Sequence, residues 1–486
     1  MVAKTRIFFQ RRTIGLAFLI IAFVILTISA IFNSINSKKS IEIVYAQNLV
    51  SLNPYTYSDF NNSRLNYMFE ALVGFSEDLK IIPKLAVSFG SVSNTHYKFR
   101  LKNNIYFHNN SHLDANLIKE ILDSAKNIDS QKPLVENIQE VVVTGDYTFD
   151  IILKNPDYLL LSKLASVPIA LLSQDIEANP IGTGPFILKA QTNNQLYLEP
   201  FANYHAHKAK FNQLLLTTIE NQSQRLEYSQ NKPHILAVFG MSPVLKESLE
   251  KTGLSLQTYI DGSTNFFLYN YTRKLSNNID FQSRLSQAIN LDMDFFEFSQ
   301  GMGKDTNQLL ASGVFGFKPQ ISTDDLFEQT DTRYYPQILL PKGFEKLSEK
   351  LSEALNKHYI YPEFSFENLY QLDSQKIVSD YDLIFFGFKS DFYDGQSLFS
   401  TFLTDSQFNF GRYKNQKAQE LYDSLSQIEK PKQRQKVLQQ LSSLILDSQN
   451  KLAEPLFENK VYYALNQRYQ LKPRLDGFLD LTLISL

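Results

Sequence analysis

Hydrophobic and polar residues alternate along two segments in the first third of the chain. Residues 97–107 alternate up to a polar turn at Asn103-Asn104, and residues 140–153 alternate on both sides of a Gly-Asp turn. A period of two is typical of half-buried strands, and turn residues between two such runs indicate a hairpin. Both segments are therefore predicted to form β-hairpins, and the apolar run at 41–46 a further strand.

Between the hairpins, the hydrophobic period changes to that of a helix. Asp114 precedes this segment and is a suitable N-cap, because its carboxylate can accept hydrogen bonds from the unpaired amides of a first helical turn. The apolar residues that share one face are Leu117, Ile118, Ile121, Leu122 and Ala125. This spacing predicts an amphipathic helix.

The second half of the chain alternates between strand-like and helix-like segments. A periodic segment at 343–358 predicts a helix, and the apolar runs around it predict strands at 335–340, 359–364 and 380–388. Strand, helix and strand at this spacing indicate a βαβ unit and a parallel sheet. Two more amphipathic helices are predicted further on, at 421–425 and 437–445.

The N-terminus carries a long uncharged run at 14–32, which follows Lys4, Arg6, Arg11 and Arg12. At about 1.5 Å per residue, a helix of this length nearly spans a hydrocarbon core of about 30 Å. The flanking positive charges stay on the cytoplasmic side, so the rest of the chain is expected to be extracytoplasmic. A cleaved signal peptide is the alternative, but its apolar region is usually only about 7–15 residues long, which favours a membrane anchor.

Composition narrows the class of protein. The chain has 486 residues, of which 43% are hydrophobic, and its net charge is −2. At roughly 150 residues per domain, this length predicts two to four domains. The chain has no basic excess, which argues against nucleic acid as a partner. It has no cysteine, which excludes disulfides, thiolate metal sites and a lipid anchor on cysteine.

The histidines do not form a recognisable metal or catalytic motif. His108 and His112 are four residues apart, but the intervening Asn pair indicates a turn rather than a zinc-protease helix. His205 and His207 have a spacing that suits a transition metal, but we interpret them as ordinary histidines in a solvated loop. No Gly-x-Ser-x-Gly nucleophile elbow is present. We therefore expect no enzyme activity, no metal and no cofactor.

The GTGP segment at 182–185 is interpreted as structural. Pro185 removes an amide donor where a phosphate loop would need one. Gly182 and Gly184 permit unusual backbone dihedrals, and the proline stiffens the exit, as is expected at a crossover between lobes.

Two carboxylates follow the apolar strand in GFKSDFYDG, residues 387–395. Asp394 precedes a glycine, and this pair is typical of a turn. Asp391 comes just after the strand, where open α/β sheets place groups that contact ligands. A lone carboxylate in a cleft is suited to one ammonium, whereas a glycosidase pair or a metal site would need further groups that this segment lacks.

Several motifs occur in an order that resembles a known family. They are FEALVGF and PKLAVSF within 52–89, YKFRLKNNIYFHNN within 97–122, NPIGTGPFIL at 179–188, FQSRLSQAINLDMD at 281–294, ASGVFGF at 311–317 and YDLIFFGFKSDFYDG at 381–395. In this order they are similar to the extracytoplasmic solute-binding proteins of family 5, the dipeptide, oligopeptide and nickel-binding receptors of ABC importers. The resemblance covers nearly everything after residue 41.

The resemblance implies an α/β, type II periplasmic-binding-protein-like fold with two lobes and an additional inserted domain. It is preceded by one N-terminal transmembrane helix or signal segment with its spacer, 1–40. The implied divisions are 41–54, 180–262 and 465–486 for a discontinuous lobe I, 55–179 for the additional domain and 263–464 for lobe II. A hinge is expected near residues 262 and 465.

The resemblance also implies a binding site. In peptide-binding members, an Asp in the segment that matches GFKSD pairs with the α-amino group of the peptide, and this position is Asp391 here. Phe388 and Tyr393 are expected to line the same cleft. The chain departs from the family's pattern at Asn109, Asn110, Gln282, Asn290 and Phe388, where the family has Asp, Gly, Arg, Asp and Trp.

The sequence therefore predicts a monomeric receptor that binds short peptides and delivers them to ABC permease subunits. It is expected to be extracytoplasmic and anchored in the membrane by residues 14–32. Nickel or haem-type ligands remain alternatives to a peptide. A membrane-tethered sensor or docking protein without a transport role is the alternative function.

Overall fold

The structure is a computed structural model, and it describes residues 40–56, 63–76, 79–171, 176–230, 232–295, 301–319, 331–403, 406, 408–428, 430–447 and 451–484. The predicted membrane segment 14–32 lies outside these residues. Among the residues that are described, no helix has the length and apolar character needed to cross a membrane.

The strands, in chain order, are β1 (Ser40–Tyr45), β2 (Val73–Phe75), β3 (Ile81–Pro83), β4 (Ala86–Ser93), β5 (His96–Leu101), β6 (Ile138–Gly145), β7 (Thr148–Leu153), β8 (Phe186–Gln191), β9 (Gln195–Pro200), β10 (Gln213–Thr218), β11 (Ile235–Phe239), β12 (Leu254–Tyr269), β13 (Gly303–Asp305), β14 (Gln337–Leu340), β15 (Glu363–Phe366), β16 (Leu383–Lys389) and β17 (Ala453–Asn466).

The α-helices are α1 (Ala115–Ala125), α2 (Lys132–Val135), α3 (Leu160–Leu164), α4 (Gln222–Ser229), α5 (Lys246–Glu250), α6 (Ile279–Asp292), α7 (Glu345–Asn356), α8 (Ser374–Asp380), α9 (Gln396–Leu403), α10 (Gln416–Ser424) and α11 (Pro431–Ile445).

One large mixed sheet runs through the molecule in the order β15-β14-β16-β12-β17-β11-β1-β10-β9-β8, and β13 pairs with β17. We call the half with β1 and β8 to β11 the first lobe, and the half with β14 to β16 the second lobe. In the first lobe, β1 lies between β10 and β11 and is parallel to both. Both faces of a central parallel strand are covered, which explains why β1 is a continuous buried run.

The two lobes are joined through the long antiparallel strands β12 and β17. Their pairing is regular in the first lobe and shifts register between Ile260 and Thr264. Gly262 lies inside this irregularity with φ of 84°, a backbone conformation that glycine adopts without steric cost. A bulge of this kind bends a strand. The sheet therefore changes direction where it passes from one lobe to the other.

The second lobe contains the predicted βαβ unit. β14 is parallel to both β15 and β16, and α7 packs its buried leucines on this part of the sheet. The strand predicted at 359–364 begins later, at Glu363, because Tyr359 has φ of 59° and Pro362 has no amide to donate. The parallel arrangement is confirmed, with this shift at one strand.

A separate four-stranded sheet, in the order β4-β5-β7-β6, belongs to what we call the small domain, whose apolar core runs from Leu72 to Ile169. The hairpin at 140–153 is confirmed as β6 and β7. The helix is confirmed as α1, with the Asp114 carboxylate accepting from the Leu117 amide at 2.8 Å. On the helix face, Leu117 is only partly buried, and Ala115 takes its place.

The hairpin predicted at Asn103-Asn104 is wrong. β5 ends at Leu101, and its two edges are already taken by β4 and β7. With no free edge beside β5, the following residues leave the sheet. Ile105 and Phe107 instead insert into the core of the small domain, where both are 0% exposed.

Candidate functional site

A cavity of about 890 Å³ lies where the two lobes and the small domain meet. The second lobe contributes residues 389–393, which are the last residue of β16 and the four that follow it. The first lobe contributes the C-terminal segment 474–483 and the loop 204–207. The small domain contributes side chains around Lys84, Lys102 and 130–134. A cavity of this size between lobes is the usual place for a small ligand.

Asp391, which the sequence predicts to be a ligand contact, lies on the wall of this cavity. It is exposed, and it begins a single turn of 3₁₀ helix directly after β16 and Ser390. Its backbone amide donates to Ser397 Oγ at 3.0 Å, which fixes the start of the turn. The Asp391 carboxylate therefore lies at the cavity between the lobes because the residue comes just after the end of β16.

Tyr393 also lines the cavity, at the end of the same turn. Phe392 and Tyr393 both have φ of 55°, in the left-handed region that costs a residue other than glycine about 1–3 kcal/mol. The Tyr393 carbonyl accepts from the Phe315 amide at 2.9 Å, and the Tyr393 ring meets Phe75 of the small domain. These contacts hold the turn in a conformation that the chain alone disfavours.

Phe388 does not line the cavity as the described residues define it. Along β16 it shares a face with Ile384 and Phe386, and this face packs into the core of the second lobe. Its ring lies 6.2 Å from that of Phe402. The alternation of side chains along a strand places it there, and that signal was already present in the sequence.

Asp394, unlike Asp391, is buried and forms an ion pair within the second lobe. Its carboxylate forms a bidentate ion pair with Arg434 of α11, with oxygen–nitrogen distances of 2.6 and 3.1 Å, and it also accepts from the Gln396 amide. Both side chains are buried. Asp394 lies in the predicted turn, and its side chain in addition anchors this turn to α11 through Arg434, a partner 40 residues away.

Opposite the second lobe, the cavity contains a buried polar cluster that the sequence did not reveal. The Glu70 carboxylate accepts from Tyr204 at 3.0 Å and from Thr183 at 3.3 Å, and it lies 2.8 Å from His205 Nε2. His205 Nδ1 lies 3.4 Å from the Lys102 ammonium. An ammonium only donates, so this contact requires Nδ1 to accept, which leaves Nε2 to donate to Glu70.

The position of His205 corrects the prediction of two histidines in a solvated loop. The His205 side chain is 1% exposed, whereas His207 is exposed. The two rings do not form a metal site with other residues, since the described part of the chain holds no group of three or more histidine or acidic residues suited to a metal ion. Nothing in the sequence near His205 indicates that it is buried at the cavity, because its partner Glu70 is 135 residues away along the chain.

Electrostatics in this cluster favour a charged carboxylate. Burial raises the pKa of Glu70, but the hydrogen bonds from His205 and Tyr204 and the charge of Lys84 together outweigh it, so the pKa of Glu70 is lowered. Burial lowers the pKa of the Lys102 ammonium, Glu70 opposes this, and the neighbouring Lys84 charge lowers it further.

The GTGP segment connects this cluster to the rest of the first lobe, by close packing rather than by unusual dihedrals. Neither Gly182 nor Gly184 has a positive φ. A Cβ on Gly182 would lie 2.2 Å from the Met68 carbonyl oxygen, and one on Gly184 would lie 2.5 Å from the Met68 carbonyl carbon. His108 contacts the backbone of the same segment, since its Nδ1 accepts a hydrogen bond from the Gly182 amide and its Nε2 lies 3.1 Å from the Gly184 carbonyl oxygen.

The departures from the family's pattern lie away from the described wall of the cavity. Asn109 and Asn110 form the expected turn, in which Asn110 has φ of 65°. Gln282 is buried and donates to the Ser276 carbonyl at 2.7 Å. Asn290 is exposed in the last turn of α6.

Curated relatives match part of the chain. The "HTH-type transcriptional regulator SgrR" of Yersinia pestis (strain Pestoides F) is 26% identical over 200 residues, which cover 40% of this chain and 35% of that protein. The match thus spans about a third of the length of this relative.

Solved structures share the fold over nearly the whole chain. HbpA2 from Haemophilus parasuis has a TM-score of 0.80 at 18% identity and covers 90% of this chain and 98% of its own. A nickel ABC transporter protein from Bacillus halodurans has a TM-score of 0.77 at 19% identity, with coverage of 91% and 99%. DppA from Helicobacter pylori, in complex with the peptide STSA, has a TM-score of 0.67 at 17% identity, with coverage of 91% and 97%.

The family resemblance seen in the motifs is confirmed by a family model. The model described as "Bacterial extracellular solute-binding proteins, family 5 Middle" matches residues 80–410. This range contains most of the small domain, the connecting strand β12 and much of the second lobe, including Asp391. The chain belongs to the bacterial extracellular solute-binding proteins of family 5.

Proposed function

We propose that this protein is the receptor of an ABC importer, that it binds short peptides between its lobes, and that it delivers them to permease subunits. The observation that carries the proposal is the position of Asp391, an exposed carboxylate on the cavity wall at the end of β16. The peptide ammonium would pair with this carboxylate, and a charge-assisted contact of this kind contributes about 1.5–3 kcal/mol.

The rest of the cavity supports a small, extended ligand. Its wall combines apolar groups, such as Phe69 and Leu134, with a few charged side chains at separate places. The irregular pairing around Gly262 provides a place for the lobes to rotate, and the facing stretch of β17, residues 458–460, would move with it. Anchoring by residues 14–32, the lobe limits at 262 and 465 and an extracytoplasmic location are parts of the same proposal.

Calorimetry with the full-length protein in mild detergent tests the proposal, with alanine peptides of two to five residues as probes. We expect at least one length to bind, and Asp391→Asn to weaken its binding by roughly 10-fold or more. Asp380→Asn is the matched control, because Asp380 is exposed on α8 of the same lobe and is not part of the cavity wall. Equal binding by the Asp391 variant and the wild type would refute the role of Asp391.

The alternative function, sensing without transport, is supported by one observation, the match to relatives named as transcriptional regulators. Uptake of a labelled peptide by cells that carry or lack the gene separates the two functions. Loss of uptake in the deletion strain supports import, and binding without any effect on uptake supports sensing.

A further inference from the structure

The segment 311–317, which contains the ASGVFGF motif, packs against the turn that carries Asp391. The Phe315 amide donates to the Tyr393 carbonyl, and the Gly395 amide donates to the Phe315 carbonyl, both at 2.9 Å. The segment does not line the cavity as the described residues define it. It supports the turn from the side away from the ligand, and we call it the platform.

The platform is fixed at both of its ends. Near one end, Ser312 donates to the Glu458 carboxylate from its amide at 3.1 Å and from its hydroxyl at 2.8 Å. Glu458 belongs to β17 and is 1% exposed. At the other end, the Gln439 side chain on α11 donates to the Phe317 carbonyl at 3.0 Å. The platform therefore has a defined place between the large sheet and α11.

Arg434 contacts the platform and the turn at the same time. Its guanidinium carbon lies 5.6 Å from the centre of the Phe315 ring, a cation–π arrangement. The same guanidinium forms the bidentate ion pair with Asp394 and donates to the side-chain oxygen of Gln396. Because the Arg434 side chain is buried, these contacts are protected from solvent.

The turn depends on such contacts because its backbone is strained. Phe392 and Tyr393 both have φ of 55°, and strained dihedrals of this kind persist only where the surrounding structure imposes them. Without the Arg434 guanidinium, the two residues are free to return to ordinary dihedrals. Asp391, which begins the turn, would then leave its position on the cavity wall.

We propose that Arg434 is a positioning residue, which acts through Asp394 and the platform to hold Asp391 where it meets the ammonium of the ligand. This inference rests on the proposed function, because it concerns how the same contact is made. A charge-assisted hydrogen bond is strong only at short distance and in good geometry. A displaced turn therefore loses the preference for a free ammonium, while the other contacts to the peptide remain.

The test measures the ratio of the affinities for tetra-alanine and N-acetylated tetra-alanine, by calorimetry on the full-length protein in mild detergent. This ratio reports the ammonium contact, because general damage to the cavity weakens both probes equally. We expect Arg434→Met to lower the wild-type ratio by roughly 3-fold to 10-fold. Arg434→Lys keeps the positive charge without the planar fork of donors, and should retain part of the ratio. Asp394→Asn, which keeps the size of the side chain, should lower the ratio as Arg434→Met does.

Arg273→Met is the matched control. Arg273 pairs with Asp382 just before β16, with a nitrogen–oxygen distance of 2.7 Å. Its replacement removes an ion pair from the same lobe and the same strand, but at the end away from Asp391. We expect this variant to keep the wild-type ratio.

The outcomes separate this inference from the proposed function. A wild-type ratio of roughly 10 or more that is unchanged in Arg434→Met and Asp394→Asn would overturn the positioning role and leave the role of Asp391 intact. An equal loss of both probes in these variants, or the same fall of the ratio in Arg273→Met, would also overturn it. If Arg434→Met does not fold, Asp394→Asn decides the result. Equal affinities of the two probes for the wild type would overturn both the ammonium contact and this inference.

Discussion

The rings of Tyr393 and Phe75 meet edge to face, with centroids 5.6 Å apart and planes at 88°. Tyr393 belongs to the turn after β16 in the second lobe, and Phe75 belongs to β2 of the small domain. This contact therefore connects two parts of the chain across the proposed ligand cavity, and it involves a residue with a left-handed backbone.

Removing the Tyr393 ring is expected to let the second lobe move away from the small domain. An aromatic pair contributes about 0.5–1.5 kcal/mol, so Tyr393→Ala should shift the balance toward separation by roughly 2- to 13-fold, whereas Tyr393→Phe should keep it. The chain has no cysteine, so spin labels on cysteines introduced at Lys98 and Asp380 report the distance without background. An unchanged distance distribution in Tyr393→Ala would contradict this role.

The ion pair of Asp394 and Arg434 is expected to stabilise the second lobe and to hold the turn. Removing one partner of a buried pair leaves an unpaired buried charge and costs about 3–5 kcal/mol. Asp394→Asn and Arg434→Met should each lower the midpoint of urea unfolding, and the double variant should lose less than the sum of the two. Strictly additive losses would show that the two side chains do not act as a pair.

The close contact at Gly184 predicts a strong effect of a single methyl group. Gly184→Ala places a Cβ 2.5 Å from the Met68 carbonyl carbon, which is backbone and cannot move aside easily. Overpacking of this kind costs about 1–3 kcal/mol, seen as a lower melting temperature. Gly90→Ala is the matched control, since an added Cβ there meets nothing within 4 Å. Equal melting temperatures for the two variants would contradict the packing argument.

Glu70 should make stability depend on acid pH. Its pKa is lower in the folded protein than the ordinary value of 4.5, so the unfolded chain binds its proton more readily. The stabilisation is complete above pH 4.5 and is lost as the pH falls through the folded-state pKa. Glu70→Gln should be less stable than the wild type at pH 7, and this difference should shrink below pH 4.5. Melting temperatures between pH 7 and pH 3 measure it, and a constant difference would contradict this assignment.

The sequence predicted the elements whose signals are local. Asp114 caps α1 because capping depends on the next three residues, and the βαβ unit around α7 follows from periodicity and spacing. The hairpin at Asn103 failed because the edges of β5 were occupied by strands elsewhere in the chain. The missed parts of the site are nonlocal in the same way. Glu70 and His205 are 135 residues apart, and Asp394 and Arg434 are 40 apart.

The position of Asp391 could be predicted because the residue comes just after a strand. The position of Phe388 could have been predicted from the alternation of side chains along the same strand. Phe388 is three residues before Asp391, but it lies within β16 and on the face that packs on Phe402. A residue that follows a strand can face a cavity at the edge of the sheet. A residue inside the strand faces one side of the sheet or the other, because successive side chains alternate between the two sides.

The central claim is that Asp391 pairs with a peptide ammonium, and a double-mutant cycle on the ligand and the protein tests it most directly. Affinities of free and N-acetylated tetra-alanine are measured for the wild type and for Asp391→Asn. The account predicts that acetylation weakens binding to the wild type by roughly 10-fold or more and changes binding to the variant little. An equal loss on acetylation in both proteins would contradict it.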